Sequence, residues 1–135
     1  MKILNLAFLI LFSSGGVLAS DLVDCRSESS YPLITKMELL ERISKNSVFI
    51  VDVNSAESFK KVHIPGAIHF SSHEKQFESL LPAQKDALIV SYCGSEKCGA
   101  WMKAAQQACK LGYRNVRHFK PGIQGWVASR EKGQS

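Results

Sequence analysis

Ala87-Leu88-Ile89-Val90-Ser91-Tyr92-Cys93-Gly94-Ser95-Glu96-Lys97-Cys98-Gly99 joins an apolar, β-branched run to a polar loop bracketed by two glycines and two cysteines. The run has the composition of a strand buried on both faces, as in parallel sheets. Beyond it, residues 99–111 (GAWMKAAQQACKL) read as a helix with Trp101, Ala104, Ala105 and Ala108 on one side and Gly112 as its stop. A strand that feeds a helix through a short loop is the building unit of an α/β fold.

The same alternation extends in both directions. Upstream, Val48-Phe49-Ile50-Val51-Asp52-Val53 is a second buried strand. Thr35-Lys36-Met37-Glu38 has the capping-box pattern, and Met37, Leu39, Leu40 and Ile43 form the apolar stripe of a helix ending near Ser44. Ser55 caps a short helix through Val62. His63-Ile64-Pro65-Gly66 then turns the chain into a short strand over Ala67 to Phe70. A polar stretch from Glu74 to Leu81 is helical until Pro82. Asn115 to Phe119 is a last strand and Ile123 to Ser129 a last helix. Strands separated by helices imply right-handed crossovers and a parallel sheet covered on both faces. No internal repeat is present, and residues 20–30 and Lys132–Ser135 read as loosely ordered.

Composition limits the classes of function. The 135 residues, 45% of them hydrophobic, suffice for one core and not for two. A charged fraction of 21% excludes a disordered chain. The formal charge of +5 is dispersed over Lys60-Lys61, Lys85, Arg114, Arg117 and Lys120 without interleaved aromatics, which argues against nucleic acid as a partner. Lys2, the apolar run Ile3 to Phe12 and the small residues up to Ala19 have the order of an export signal, cut before Ser20 or Asp21. The run is short for a bilayer span, so no stable membrane insertion is expected once the signal is gone. An uncleaved anchor and a buried N-terminal helix are the rival readings. Asp24 before Cys25 speaks against a lipoprotein anchor. The expected organisation is a signal peptide over 1–19, an arm over 20–30, a domain over 31–130 and a tail over 131–135, in a periplasmic or secreted protein. No signal for an oligomeric state stands out.

Export would place Cys25, Cys93, Cys98 and Cys109 in an oxidising compartment, where four cysteines allow three pairings. Cys93 with Cys98 would close a small loop, and Cys25 with Cys109 would tie the arm to the body. Cys109 as a small buried hydrophobe is an equal alternative. The spacing of Cys93 and Cys98, with no second closely spaced Cys/His pair, argues against zinc. No other metal and no cofactor is expected, since His69, His73 and His118 are scattered.

Chemistry is expected at the junction Tyr92-Cys93-Gly94-Ser95-Glu96-Lys97-Cys98-Gly99, because ligands of open α/β sheets collect beyond the carboxyl ends of the strands. Backbone amides of the loop and of the following helix N-terminus can hold negative charge, lower a thiol pKa and stabilise a persulfide anion. Gly94 and Gly99 let the backbone curl, and Lys97 adds a positive charge at the rim. An inert cysteine ending a strand is the plainer alternative.

The ordered set VFIVDV (48–53), HIPGA (63–67), ALIVSYC (87–93), LGYRNV (111–116) and PGIQGW (121–126) resembles the rhodanese homology domain over residues 31–130. The resemblance implies a three-layer α/β fold with a central, mostly parallel five-stranded sheet and helices on both faces. It implies a sulfurtransferase in which Cys93 takes sulfane sulfur from a small sulfur-containing anion such as thiosulfate. The persulfide would then pass its sulfur to an acceptor such as cyanide or a protein thiol. Backbone amides of Gly94, Ser95, Glu96, Lys97, Cys98 and Gly99 would form the substrate-binding loop.

Three positions depart from the family pattern. Cys98 stands where an arginine usually follows the nucleophile by five residues, which removes a bidentate anion ligand that Lys97 does not replace. Asn54 follows the aspartate strand in place of an arginine, and Val62 precedes HIPGA in place of a glycine. Cys98 opens a different role, as a resolving thiol or disulfide partner of Cys93. Besides the sulfurtransferase, two alternatives follow: a thiol–disulfide redox protein using Cys93 and Cys98, and a non-catalytic binding module. His63 is read as a helix-ending turn residue rather than a base, Asp52 as a partner of the backbone or the HIPGA turn, and Trp101 and Trp126 as packing residues.

Overall fold

The computed structural model describes residues 23–131; the export signal expected over 1–19 and the tail from Lys132 lie outside the described residues. Four strands, β1 (Phe49–Asp52), β2 (Ile68–His69), β3 (Ile89–Tyr92) and β4 (Val116–His118), form one sheet among the described residues. They lie in the order β2-β1-β3-β4 and every pair is parallel. The helices are α1 (Lys36–Ser44), α2 (Ala56–Lys61), α3 (Phe70–His73), α4 (Phe77–Leu80), α5 (Met102–Lys110) and α6 (Gly122–Glu131).

A fifth strand was expected, and the chain stops short of one. Leu33 makes a single parallel bridge to His118 at the β4 edge, with the His118 amide donating to the Pro32 carbonyl and the Ile34 amide to the His118 carbonyl. Pro32 has no N–H to extend the ladder, and Thr35 turns the chain into α1 one residue after Ile34. That turn is the complete capping box read from the sequence: the Thr35 hydroxyl accepts the Glu38 amide, and the Glu38 carboxylate accepts the Thr35 amide.

Side-chain alternation divides the core into two halves, one on each face of the sheet. Val51, Val53, Ile89 and Cys93 pack with Phe70 of α3, Phe77 of α4 and the alanine face of α5. Ile50, Leu88, Val90 and Tyr92 pack with Leu39 of α1 and with Ile123 and Trp126 of α6. The stripe read on α1 is only half right. Leu39 is fully buried and Ile43 partly so, while Met37 and Leu40 are exposed. The stretch from Phe70 to Leu80 is two single-turn helices joined by a 3-10 turn at Glu74–Gln76, not one helix from Glu74. Nor is the described part of the arm loose. The Tyr31 hydroxyl donates to the Cys25 carbonyl at 2.6 Å, and a disulfide joins Cys25 to Cys109 of α5 across Cα atoms 5.7 Å apart.

Candidate active site

Cys93 is the first residue beyond β3. Its side chain points to the α5 face, as do Ser91 and Ile89, two and four residues earlier. Between β1 and β3 the sheet changes its direction of growth, since β2 is added on one side of β1 and β3 and β4 on the other. The carboxyl ends of β1 and β3 therefore flank a topological switch point, the crevice where doubly wound sheets place their ligands. The loop Gly94 to Gly99 covers that crevice.

Elements distant in sequence hold the loop. The α6 amides of Ile123 and Gln124 donate to the carbonyls of Cys93 and Gly94 at 2.9 and 3.0 Å. Gly122, at φ +62°, lies so close that a Cβ there would stand 2.6 Å from the Cys93 carbonyl oxygen. The Cys98 amide closes a turn on the Ser95 carbonyl at 3.1 Å, and the buried Ser91 hydroxyl donates to the Trp101 carbonyl at 2.8 Å. Ser91, Gly122 and Gln124 carried no functional role in the sequence. Pro121-Gly122 was visible as a motif, but its contact with a loop almost thirty positions earlier was not.

The helix after the loop starts later than expected. Gly99 has no regular structure, Ala100 and Trp101 form a turn, and α5 begins at Met102. The amides nearest to Cys93 in sequence are those of the loop's own backbone. The amides of Gly94, Ser95, Glu96 and Lys97 donate to no other group among the described residues. Glu96 and Lys97 are exposed at the rim. Together with Pro121, Gln124 and Gly125, this rim lines an open groove of about 490 Å³.

Cys93 and Cys98 are joined by a disulfide, with Cα atoms 6.2 Å apart, inside the usual range for such bridges. The two sulfur-bearing residues differ in access: Cys93 is 1% exposed, and Cys98 is only partly buried.

Behind the loop lies a buried polar chain. Tyr92 donates its hydroxyl to Asp52 Oδ2 and accepts the Ile64 amide, so Asp52 reaches the HIPGA turn through a tyrosine. Burial first, and the Asp52 carboxyl second, raise the Tyr92 hydroxyl pKa far above its ordinary value. Asp52 Oδ1 accepts the Asn54 amide at 2.8 Å, and His69 Nε2 lies 2.8 Å from the Asn54 carbonyl. This fixes the Asn54 side chain against Gly94, with its Nδ2 buried and unpaired. His63 stacks on Phe59 and contacts its carbonyl at the end of α2, as a turn residue would. Trp101 and Trp126 are buried. Among the described residues no three His, Cys, Asp or Glu side chains gather as a metal site.

Comparison with known proteins gives the fold and site a context. A family model described as the rhodanese-like domain matches residues 35–129. The thiosulfate sulfurtransferase GlpE of Coxiella burnetii is 26% identical over 99 residues, covering 73% of this chain and 89% of that protein. The putative sulfur carrier protein YrkF of Bacillus subtilis is 29% identical over 107 residues, covering 76% of this chain and 55% of that protein. Among solved structures, the human single-domain sulfurtransferase TSTD1 superposes with a TM-score of 0.58 at 24% identity, over 72% of this chain and 96% of that one.

Proposed function

The chain belongs to the rhodanese-like domain family, and from that premise we propose that it is an exported sulfurtransferase carrying sulfane sulfur as a persulfide on Cys93. The observation that carries this reading is the pairing of a cysteine at the β1/β3 switch point with four uncommitted loop amides. Those dipoles favour the thiolate over the thiol, and equally favour the terminal sulfur of a persulfide. The Cys93 thiolate attacks the sulfane sulfur of thiosulfate, the S–S bond of the donor breaks, and sulfite leaves with the bonding pair. The relatives named as a thiosulfate sulfurtransferase and a sulfur carrier support this substrate class. The acceptor in this reading is a protein thiol that enters along the groove beside Gln124.

An oxidising compartment is supported by the export pattern from Lys2 to Ala19 and by the two disulfides. In such a compartment the Cys93–Cys98 bridge must be opened before sulfur is taken up. The test is intact-protein mass spectrometry after mild reduction and incubation with thiosulfate. One added sulfur on Cys93 of the Cys98→Ser variant, which lacks the neighbouring thiol, and none on Cys93→Ser is the expected result; no adduct on Cys98→Ser from thiosulfate or an aryl thiosulfonate overturns the proposal.

The bridge itself favours a second reading, thiol–disulfide exchange without sulfur transfer. It predicts rapid exchange with small dithiols together with no sulfur adduct on Cys98→Ser from either donor.

A further inference from the structure

We propose a further activity that rests on the persulfide reading: Cys98 discharges the Cys93 persulfide internally, so that the reduced protein converts sulfane sulfur to sulfide.

Cys98 already stands within covalent reach of Cys93. Other bonds place it there too. The Cys98 amide is tied to Ser95, and the Cys93 and Gly94 carbonyls are tied to α6, so opening the disulfide leaves both ends of the loop anchored. A thiol held this way competes with external acceptors at an effective concentration of at least about a millimolar, against the far lower concentration of any protein thiol.

The chemistry balances without a further oxidant. Cys93–S⁻ takes the sulfane sulfur of thiosulfate and releases sulfite. The Cys98 thiolate then attacks Cys93 Sγ; the Cys93–Cys98 bond forms, the persulfide S–S bond breaks, and HS⁻ leaves with the electron pair. The two thiols lose two electrons and the sulfane sulfur gains them. Return to the dithiol state needs a dithiol reductant. Its thiolate attacks the more accessible sulfur, Cys98, and expels Cys93 as the thiolate that the loop amides favour. The protein would therefore act downstream of a reaction that makes sulfane sulfur and alongside a donor of thiol reducing equivalents.

The test uses the full chain, reduced mildly enough to keep Cys25–Cys109 closed, freed of reductant under argon and given thiosulfate or an aryl thiosulfonate. Neither donor yields sulfide unaided. Wild type is expected to release one sulfide per chain, to reclose Cys93–Cys98 and to keep no adduct. Cys98→Ser, checked for native circular dichroism, is expected to hold one sulfur on Cys93 and release none, with a persulfide lifetime longer on the order of a hundredfold. Wild type that keeps a lasting persulfide without sulfide overturns the internal discharge and leaves the carrier reading standing. No sulfur uptake by either chain overturns both.

Discussion

Tyr92 donates its hydroxyl to Asp52 across the β1–β3 ladder at 2.5 Å and accepts the Ile64 amide at 3.0 Å, all three groups being buried. One phenolic oxygen thus joins the carboxyl ends of two central strands to the HIPGA turn.

Removing that oxygen in Tyr92→Phe leaves a buried carboxyl oxygen and a buried amide unpaired. The expected loss is about 3 kcal/mol, read from chemical denaturation. A loss below about 1 kcal/mol would show that the two partners find other bonds. Sulfur uptake by the folded fraction is expected to fall as well, because the strand ends that carry Cys93 and Asn54 lose their common anchor.

Gly122 separates backbone strain from crowding. Gly66 and Gly112 also have positive φ, but a Cβ on either meets nothing within 4 Å, whereas at Gly122 it meets the Cys93 and Gly94 backbone. Alanine at Gly66 or Gly112 is expected to cost about 1 kcal/mol in conformational strain alone. Gly122→Ala is expected to cost at least about 2 kcal/mol, since backbone must move, and to slow alkylation of reduced Cys93. Equal costs at all three positions would remove Gly122 from the site.

These relationships mark the limit of what the sequence shows. Signals that act within a few residues were legible: the Thr35–Glu38 capping box, the Ser55 cap, the β-branched runs of β1 and β3, and the cysteine at the end of β3. The missed features depend on approach across the fold. The i, i+3, i+4 spacing on α1 identified apolar residues without showing that only Leu39 and Ile43 meet the sheet. The turn at Thr35 limits the segment before α1 to the single Leu33 bridge, so the fifth strand that the resemblance implied does not form among the described residues. Asn54, Ser91 and Gly122 are small residues whose roles exist only once β1, β3 and α6 converge on one loop.

The arm should act on stability and not on chemistry. Cys25 and Cys109 are 84 positions apart, and closing a loop of that size restricts the unfolded chain by about 4.5 kcal/mol in the chain-entropy account. Cys25→Ser/Cys109→Ser is expected to lose about 2 to 5 kcal/mol while its folded fraction still takes up sulfur on Cys93. Loss of sulfur uptake by fully folded double variant, as judged by circular dichroism, would place the arm in the site.

Asn54 offers a charge test of the loop. Its amide rests against Gly94 without a partner for Nδ2. Asn54→Asp puts a carboxylate there, opposing a thiolate on the adjacent residue. The Cys93 pKa is expected to rise by about one unit, seen as a shift of the alkylation rate profile to higher pH in the reduced protein. An unmoved profile would mean that the loop sulfur does not sense this side chain.

The last prediction concerns acid. His118 is 2% exposed, stacks on Trp101 with ring centroids 3.6 Å apart, and has no partner for Nδ1. Burial, and secondarily the charge of Lys120, lower its pKa from 6.5 to about 4. In the window between those values the unfolded chain binds a proton that the folded chain refuses. His118 thus contributes stability that is fully present above the unfolded value and is lost as pH falls toward the folded one. Moving from about pH 7.5 to about pH 4.5 should remove about 2 to 3 kcal/mol through this residue alone. His118→Phe keeps a ring on Trp101 and no longer titrates, so its stability should fall by about that much less over the same interval. Chemical denaturation of both proteins at the two pH values makes the comparison. Parallel losses in wild type and variant would mean that the proton enters elsewhere, and the Trp101 stack would then be insensitive to acid.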